Sequence, residues 1–165
     1  MYSIGLGGLK MSLSSCVELS QEPINHASIL VIDQDPVQWT IARSILEIMP
    51  LSLYYAASGE EAEVLSASVG FDLVLMDRHL GARDGDACAV RLRTRLCGAR
   101  YAAILACALD TEGAQGASVY DGLVIKPYSV LSLTKGVLLG LETMREARRE
   151  AGLTVSAADA GVAFC

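Results

Sequence analysis

The sequence predicts an α/β protein, a doubly wound five-stranded parallel sheet with five helices, and three observations carry that reading. Five short apolar runs rich in Val, Ile and Leu alternate with stretches of helical period. The helical stretches carry start and stop signals of the kind that cap helices. Four of the runs end on or just before a residue with an ionisable side chain: Asp33, Asp77, Cys107 and Lys126.

The elements follow in order. Residues 1–25 hold Gly5, Gly7, Gly8, a Ser-rich patch and Pro23 without sustained period, so 1–26 is expected to be a flexible extension. One weak helical turn is expected around 11–19, and Met11 offers an alternative start. From Ser28 the run Ser28-Ile29-Leu30-Val31-Ile32 is a strand buried on both faces. After Asp33-Gln34, Asp35 is placed as an N-cap with Pro36 at the first helical position and Gln38 as capping-box partner. Val37, Ile41, Ile45 and Ile48 form the apolar stripe of the first helix, which Pro50 ends. Residues 51–56 are a second strand, and Ser58 with Glu61 a second capping box ahead of Ala62 and Leu65. Residues 71–76 are strand three, followed by a polar loop and a helix over 85–96. Strand four is expected over 102–107, and a short helix weakened by Gly113 and Gly116 over 111–120. Strand five covers 123–125 and stops at Lys126-Pro127. The last helix starts near Val130 with Val130, Leu133, Val137, Leu141 and Met144 on one face, and Gly152 is its C′ glycine. The folded unit is therefore 27–150, with 151–165 a tail. Its strand order is taken from the known flavodoxin-like arrangement, 2-1-3-4-5.

The bulk numbers narrow the function. A hydrophobic fraction of 52% argues against a mostly disordered chain, and 165 residues suit one domain with short tails. A net charge of −6 is wrong for a general nucleic-acid binder, which needs clustered Lys and Arg. No apolar run reaches the ~18 residues of a membrane span, and the leader makes a poor signal peptide, so a cytoplasmic protein is expected. Cys16, Cys88, Cys97, Cys107 and Cys165 lack metal-ligand spacing and read as reduced thiols.

In a doubly wound sheet, ligands bind beyond the carboxyl ends of the strands, at the switch point between strands one and three. Asp33, Asp77, Cys107 and Lys126 close strands at that edge. Crowded carboxylates repel, which invites a divalent cation. A carboxylate can also attack phosphorus to give an aspartyl-phosphate, with an ammonium neutralising the phosphoryl oxygens.

Over about residues 28–150 the sequence resembles the receiver domains of two-component response regulators, of CheY-like type. The resemblance rests on Ile29-Leu30-Val31-Ile32-Asp33-Gln34-Asp35-Pro36, Asp72-Leu73-Val74-Leu75-Met76-Asp77, Asp84-Gly85 and Val124-Ile125-Lys126-Pro127, in order at the right strand ends. It implies that Asp77 is the phosphoacceptor, Asp33 the first of an acid pair, and Lys126 the lysine that contacts the phosphoryl group. It also implies Mg²⁺ ligation by Asp33, Asp77 and the backbone carbonyl of His79, and a Lys126-Pro127 bond of the kind often cis.

The departures matter as much. Gln34 replaces the second acid, so it is at best a weak ligand and Mg²⁺ is expected to be weakly held or absent. Cys107 stands at the usual Ser or Thr position and is a poorer hydrogen-bond donor. Leu123 occupies a common aromatic switch position, and Gly81 a common proline position. Simpler readings stand beside each role: Asp35 as a helix cap, Lys126 as a structural ion bridge, His79, Arg78 and Arg83 as solvated loop residues. Arg91, Arg93, Arg95 and Arg100 read as a solvated face, and Arg145, Arg148 and Arg149 as cations suited to a helix C-terminus.

Only 15 or so residues follow the last helix, so a stand-alone receiver is expected, not an enzyme. It would take a phosphoryl group on Asp77 from a histidine kinase or phosphotransfer protein and act through protein contacts. A phosphorylation-independent pseudo-receiver serving as an interaction module is the alternative. A flavodoxin-like electron carrier is disfavoured, because no phosphate-cradling loop follows strand one. Leu138 and Leu139, beside the core stripe of a long last helix, predict a homodimer.

Overall fold

The computed structural model describes residues 26–81, 83–94, 101–109 and 119–152. Five parallel strands form the sheet: β1 (Ala27–Ile32), β2 (Leu51–Ala56), β3 (Leu73–Asp77), β6 (Ala103–Ala108) and β7 (Gly122–Ile125). Their spatial order is β2-β1-β3-β6-β7, the predicted 2-1-3-4-5. Two further strands, β4 (His79–Leu80) and β5 (Arg83–Asp84), pair antiparallel in what reads as a plain loop from sequence.

Side chains alternate across the sheet, so each strand feeds two cores. Ile29, Val31, Leu73, Leu75 and Leu105 face α1 (Pro36–Leu46) and α4 (Val130–Glu150). Leu30, Ile32, Val74, Met76 and Ile104 face α2 (Gly59–Ser68) and α3 (Gly85–Thr94). That arrangement is why the central strands show no polar alternation. Four helices lie among the described residues. The helix expected over 111–120 falls outside them, except for Val119 and Tyr120, which are not helical.

The caps correct the sequence reading in detail. Asp35 caps α1 by accepting the Val37 amide at 2.9 Å, with Pro36 first in the helix. Gln38 does not complete a capping box, and its Oε1 accepts no hydrogen bond. The amide it would bind, that of Asp35, donates to Asp33 Oδ1 at 2.9 Å. Ser58 accepts the Glu61 amide at 3.2 Å, but Glu61 reaches past the cap to the Ala57 amide at 2.8 Å. A full capping box sits where none was expected, between Ser129 and Ser132 at the start of α4. Gly152 ends α4 with φ +73°, donating to the Arg149 carbonyl at 3.0 Å, as its placement predicted.

Two stripes also shift. In α1 the buried residues are Ala42 and Leu46, with Trp39, Ile45 and Met49 packed against the core. Val37 and Ile48 are exposed. The sheet selects the face that brings small Ala42 against it, a residue that adds little to a hydrophobic pattern. In α4, Leu133, Val137, Leu141 and Met144 are buried as expected, whereas Val130 is exposed in the first turn.

Candidate functional site

Strand parity places the site. In β1 and β3 the residues facing α1 and α4 are Ile29 and Val31, then Leu73 and Leu75, so Asp33 and Asp77 continue on that same side. Cys107 lies opposite Asp77 in the β3–β6 register, and Lys126 follows β7 directly. All four predicted residues thus meet at one sheet edge.

Lys126 joins the two carboxylates. Its Nζ lies 2.6 Å from Asp33 Oδ2 and 3.1 Å from Asp77 Oδ2. Asp33 is 1% exposed, Lys126 8% and Asp77 9%, so this is a nearly dry ionic cluster open to solvent chiefly at Asp77. Burial pulls the Lys126 ammonium down, but Asp33 and Asp77 outweigh it and hold its pKa above the ordinary lysine value. Burial pushes the Asp33 carboxyl above the usual carboxylate range, against the pull of Lys126 and the Asp35 amide. The directions are compatible: Asp33 pays desolvation, while Lys126 feels two carboxylates. The second Asp77 oxygen, Oδ1, accepts the His79 amide at 3.1 Å. The Lys126-Pro127 peptide is cis.

The predicted metal ligands come together differently. Gln34 Nε2 donates to the His79 carbonyl at 3.1 Å. Asp33 directs one oxygen to Lys126 and the other to the Asp35 amide. Among the described residues no group of three or more His, Cys, Asp or Glu is poised to hold a metal. The expected ligands are thus already engaged: the His79 carbonyl accepts an amide N–H, and the carboxylates share their charge with the Lys126 ammonium. The His79 side chain is exposed, as expected, but it lies in β4 rather than in a plain loop.

Cys107 is a free, buried thiol. Burial pushes it up to about 12, against the smaller opposing pull of the Tyr128 hydroxyl and Lys126. Burial also raises Tyr128 above its ordinary value. Leu123 is half-buried in β7 opposite Ala106. Of the cysteines among the described residues, Cys88 and Cys107 are free and buried.

Four of the arginines are paired with carboxylates. Arg78 pairs with Asp86 at 3.3 Å and lies over the Tyr120 ring, 5.9 Å from its centroid. Arg91 pairs with Glu63 at 2.6 Å, and Arg93 with Asp121. Arg148 ties the far end of α4 to Asp72 at 2.8 Å. The side chain of Arg83, and Arg95 and Arg100 entirely, lie outside the described residues.

Sequence reasoning missed three supports. The Tyr55 hydroxyl donates to the Asp33 carbonyl at 2.9 Å, Trp39 stacks on Tyr55 with centroids 5.2 Å apart, and Tyr128 meets Cys107. Each is an aromatic residue on another element, with no local signal of its target.

No family model matches the chain. Over 95 residues it is 30% identical to the two-component response regulator ARR22 of Arabidopsis thaliana, covering 56% of this chain and 63% of that protein. It thus spans a little under two thirds of that relative's length. Among solved structures it is similar to the chemotaxis response regulator CheY4 of Vibrio cholerae, with TM-score 0.63, 20% identity, and 68% and 97% of the two chains covered. A two-component response regulator from Clostridium difficile gives TM-score 0.63 and 24% identity, covering 72% and 98%. The receiver domain of the sensor histidine kinase PA1611 from Pseudomonas aeruginosa PAO1 gives TM-score 0.61 and 21% identity, covering 70% and 98%. That structure is described with a magnesium ion coordinated in its active-site cleft. These structural likenesses establish the fold. The sheet and helices are those of CheY-like receiver domains, and the strand-end residues and the partial sequence likeness to a response regulator agree with that architecture. No helix among the described residues is long and apolar enough to cross a membrane.

Proposed function

We propose that this receiver accepts a phosphoryl group on Asp77 from a histidine kinase or phosphotransfer protein and signals through protein contacts as a stand-alone cytoplasmic module. It is not itself an enzyme in this reading. The observation that carries it is the Lys126 ammonium, 3.1 Å from the Asp77 carboxylate and 2.6 Å from Asp33 behind it. An Asp77 oxygen attacks phosphorus, the P–N bond of a phosphohistidine donor breaks, and the imidazole nitrogen leaves with the electron pair and takes a proton. Lys126 then faces the added negative charge. Cys107 supports the phosphoryl group less well than a hydroxyl would, because a thiol is a weak donor. Mg²⁺ is held weakly or not at all. The partners do not include nucleic acid or membrane, and two copies associate through α4.

Incubation with acetyl phosphate, with and without Mg²⁺, followed by intact mass measurement tests the central step. A single phosphoryl adduct that disappears in Asp77→Asn is the expected result. Absence of any adduct at high Mg²⁺ refutes it. That outcome would favour the second reading, a phosphorylation-independent interaction module, to which the Gln34–His79 hydrogen bond lends support.

A further inference from the structure

Two departures from the receiver pattern, Gln34 and Gly81, touch each other. A backbone carbonyl only accepts hydrogen bonds, so the 3.1 Å contact with His79 O fixes which end of the Gln34 amide faces it: the nitrogen. Oε1 is thereby turned towards Gly81. A β-carbon built on Gly81 would lie 3.0 Å from that oxygen, so the bare α-carbon gives the amide its seat. Gly81 also has φ +62°, a left-handed conformation that glycine adopts without strain.

The same contact decides what oxygen the site presents. A hard cation needs about six oxygen ligands and prefers charged ones. The uncharged oxygens expected as ligands beside Asp33 and Asp77 are His79 O and Gln34 Oε1. His79 O keeps a second lone pair, but the Gln34 N–H₂ group beside it repels a cation and Oε1 is turned onto Gly81, so a cation gains full use of neither unless the amide swings out. We propose that Gln34 is a built-in plug that disfavours divalent cations at this site, and that Gly81 is the residue that lets it seat. The two positions act as one device, and low cation affinity follows from occupancy of the His79 carbonyl as well as from the missing charge. The inference concerns the site of the proposed phosphoryl acceptor but does not require that Asp77 be phosphorylated.

Charge loss and plugging predict different results for one variant: no gain in the first case, tighter binding in the second. Gln34→Ala adds no carboxylate and frees the carbonyl. The full-length protein is titrated with Mn²⁺, which favours the same oxygen ligands as Mg²⁺, and free ion is counted by its EPR signal. Gln34→Ala is expected to bind Mn²⁺ about threefold to tenfold more tightly than the parent, the range of one hydrogen bond's net worth. If parental binding is too weak to fit, measurable binding in the variant alone is the expected result. Gly81→Ala, checked for folding by circular dichroism, should displace the amide and give a gain that does not add to that of Gln34→Ala. Affinity in Gln34→Ala equal to or below that of the parent overturns the plug, whatever Gly81→Ala does. Because no phosphodonor enters the titration, that failure is separate from a failure of phosphorylation, which the Asp77 mass measurement reads alone.

Discussion

Removing the Lys126 ammonium would leave Asp33, 1% exposed, as a buried charge with only the Asp35 amide to stabilise it. Breaking one partner of such a pair costs about 3–5 kcal/mol. Lys126→Met is therefore expected to lower urea stability by about that amount, and adding Asp33→Asn to recover part of it. The pH dependence follows from the same cluster. The folded pKa of Lys126 is raised, so its contribution is present below the ordinary lysine value of 10.5 and is lost as pH rises through the folded value. Cys107 behaves alike: raised from 9.0 to about 12, it contributes stability that fades between those limits as the unfolded thiol ionises first. Iodoacetamide at pH 8 should leave Cys107 unmodified in the native protein and modify it after denaturation. Cys107→Ala should flatten the alkaline loss of stability measured by urea unfolding between pH 9 and 11.5. Rapid native alkylation, or an unchanged alkaline limb, would contradict the buried thiol with its raised pKa.

At the scale of elements, α4 lies close against the sheet because small residues face it. A β-carbon on Gly140 would meet Leu73 Cδ1 at 2.5 Å, so Gly140→Ala must move the helix or the leucine. Overpacking of this kind costs about 1–3 kcal/mol, despite alanine's better helix propensity. The Ser129–Ser132 capping box holds the helix start next to Lys126, and Ser129→Ala should cost about 1 kcal/mol in thermal or urea unfolding. Both residues lie in a helix whose existence is plain from its periodicity. Neither effect is legible there, because Gly140 reads as a helix weakener until Leu73 is known to sit beneath it. The α1 stripe teaches the same point. Val37, Ile41, Ile45 and Ile48 and the observed Trp39, Ala42, Leu46 and Met49 are both helical patterns, and contact with β-strand side chains chooses between them.

For the whole molecule, the proposed homodimer is the property most directly measured. Leu131, Leu138 and Leu139 are 78%, 43% and 50% exposed on α4, apolar area that the sheet does not cover. Light scattering at micromolar concentration is expected to give a dimer mass that falls to monomer in Leu138→Glu or Leu139→Glu, with the melting temperature little changed. A monomer mass in the parent protein removes this part of the proposal. The long-range ties bear on the same question. Arg148–Asp72 and Arg93–Asp121 join elements distant in sequence, so some arginines that read as surface charge hold the fold together.

The residues that end the strands were visible from the start. An apolar run broken by Asp33, Asp77 or Lys126 is a local pattern, and in a parallel sheet every such break arrives at the same edge. Parity, again local, turns Asp33 and Asp77 to one side. Fold class and the acidic and basic members of the site follow from short-range information, whereas the strand order comes from analogy with the flavodoxin-like arrangement. The hydrogen bond from Gln34 to the His79 carbonyl, the seat at Gly81, the Tyr55 bond to Asp33 and the Tyr128 contact with Cys107 do not. Most of them join residues of separate elements brought together by strand register and helix crossovers, and even the last depends on how the chain turns after the Lys126-Pro127 bond. Sequence identifies Gln34 as a lost charge. Its additional role as an occupant of the carbonyl is decided only by packing, because a flexible amide takes its partner from whatever the tertiary structure sets within 3 Å or so of it.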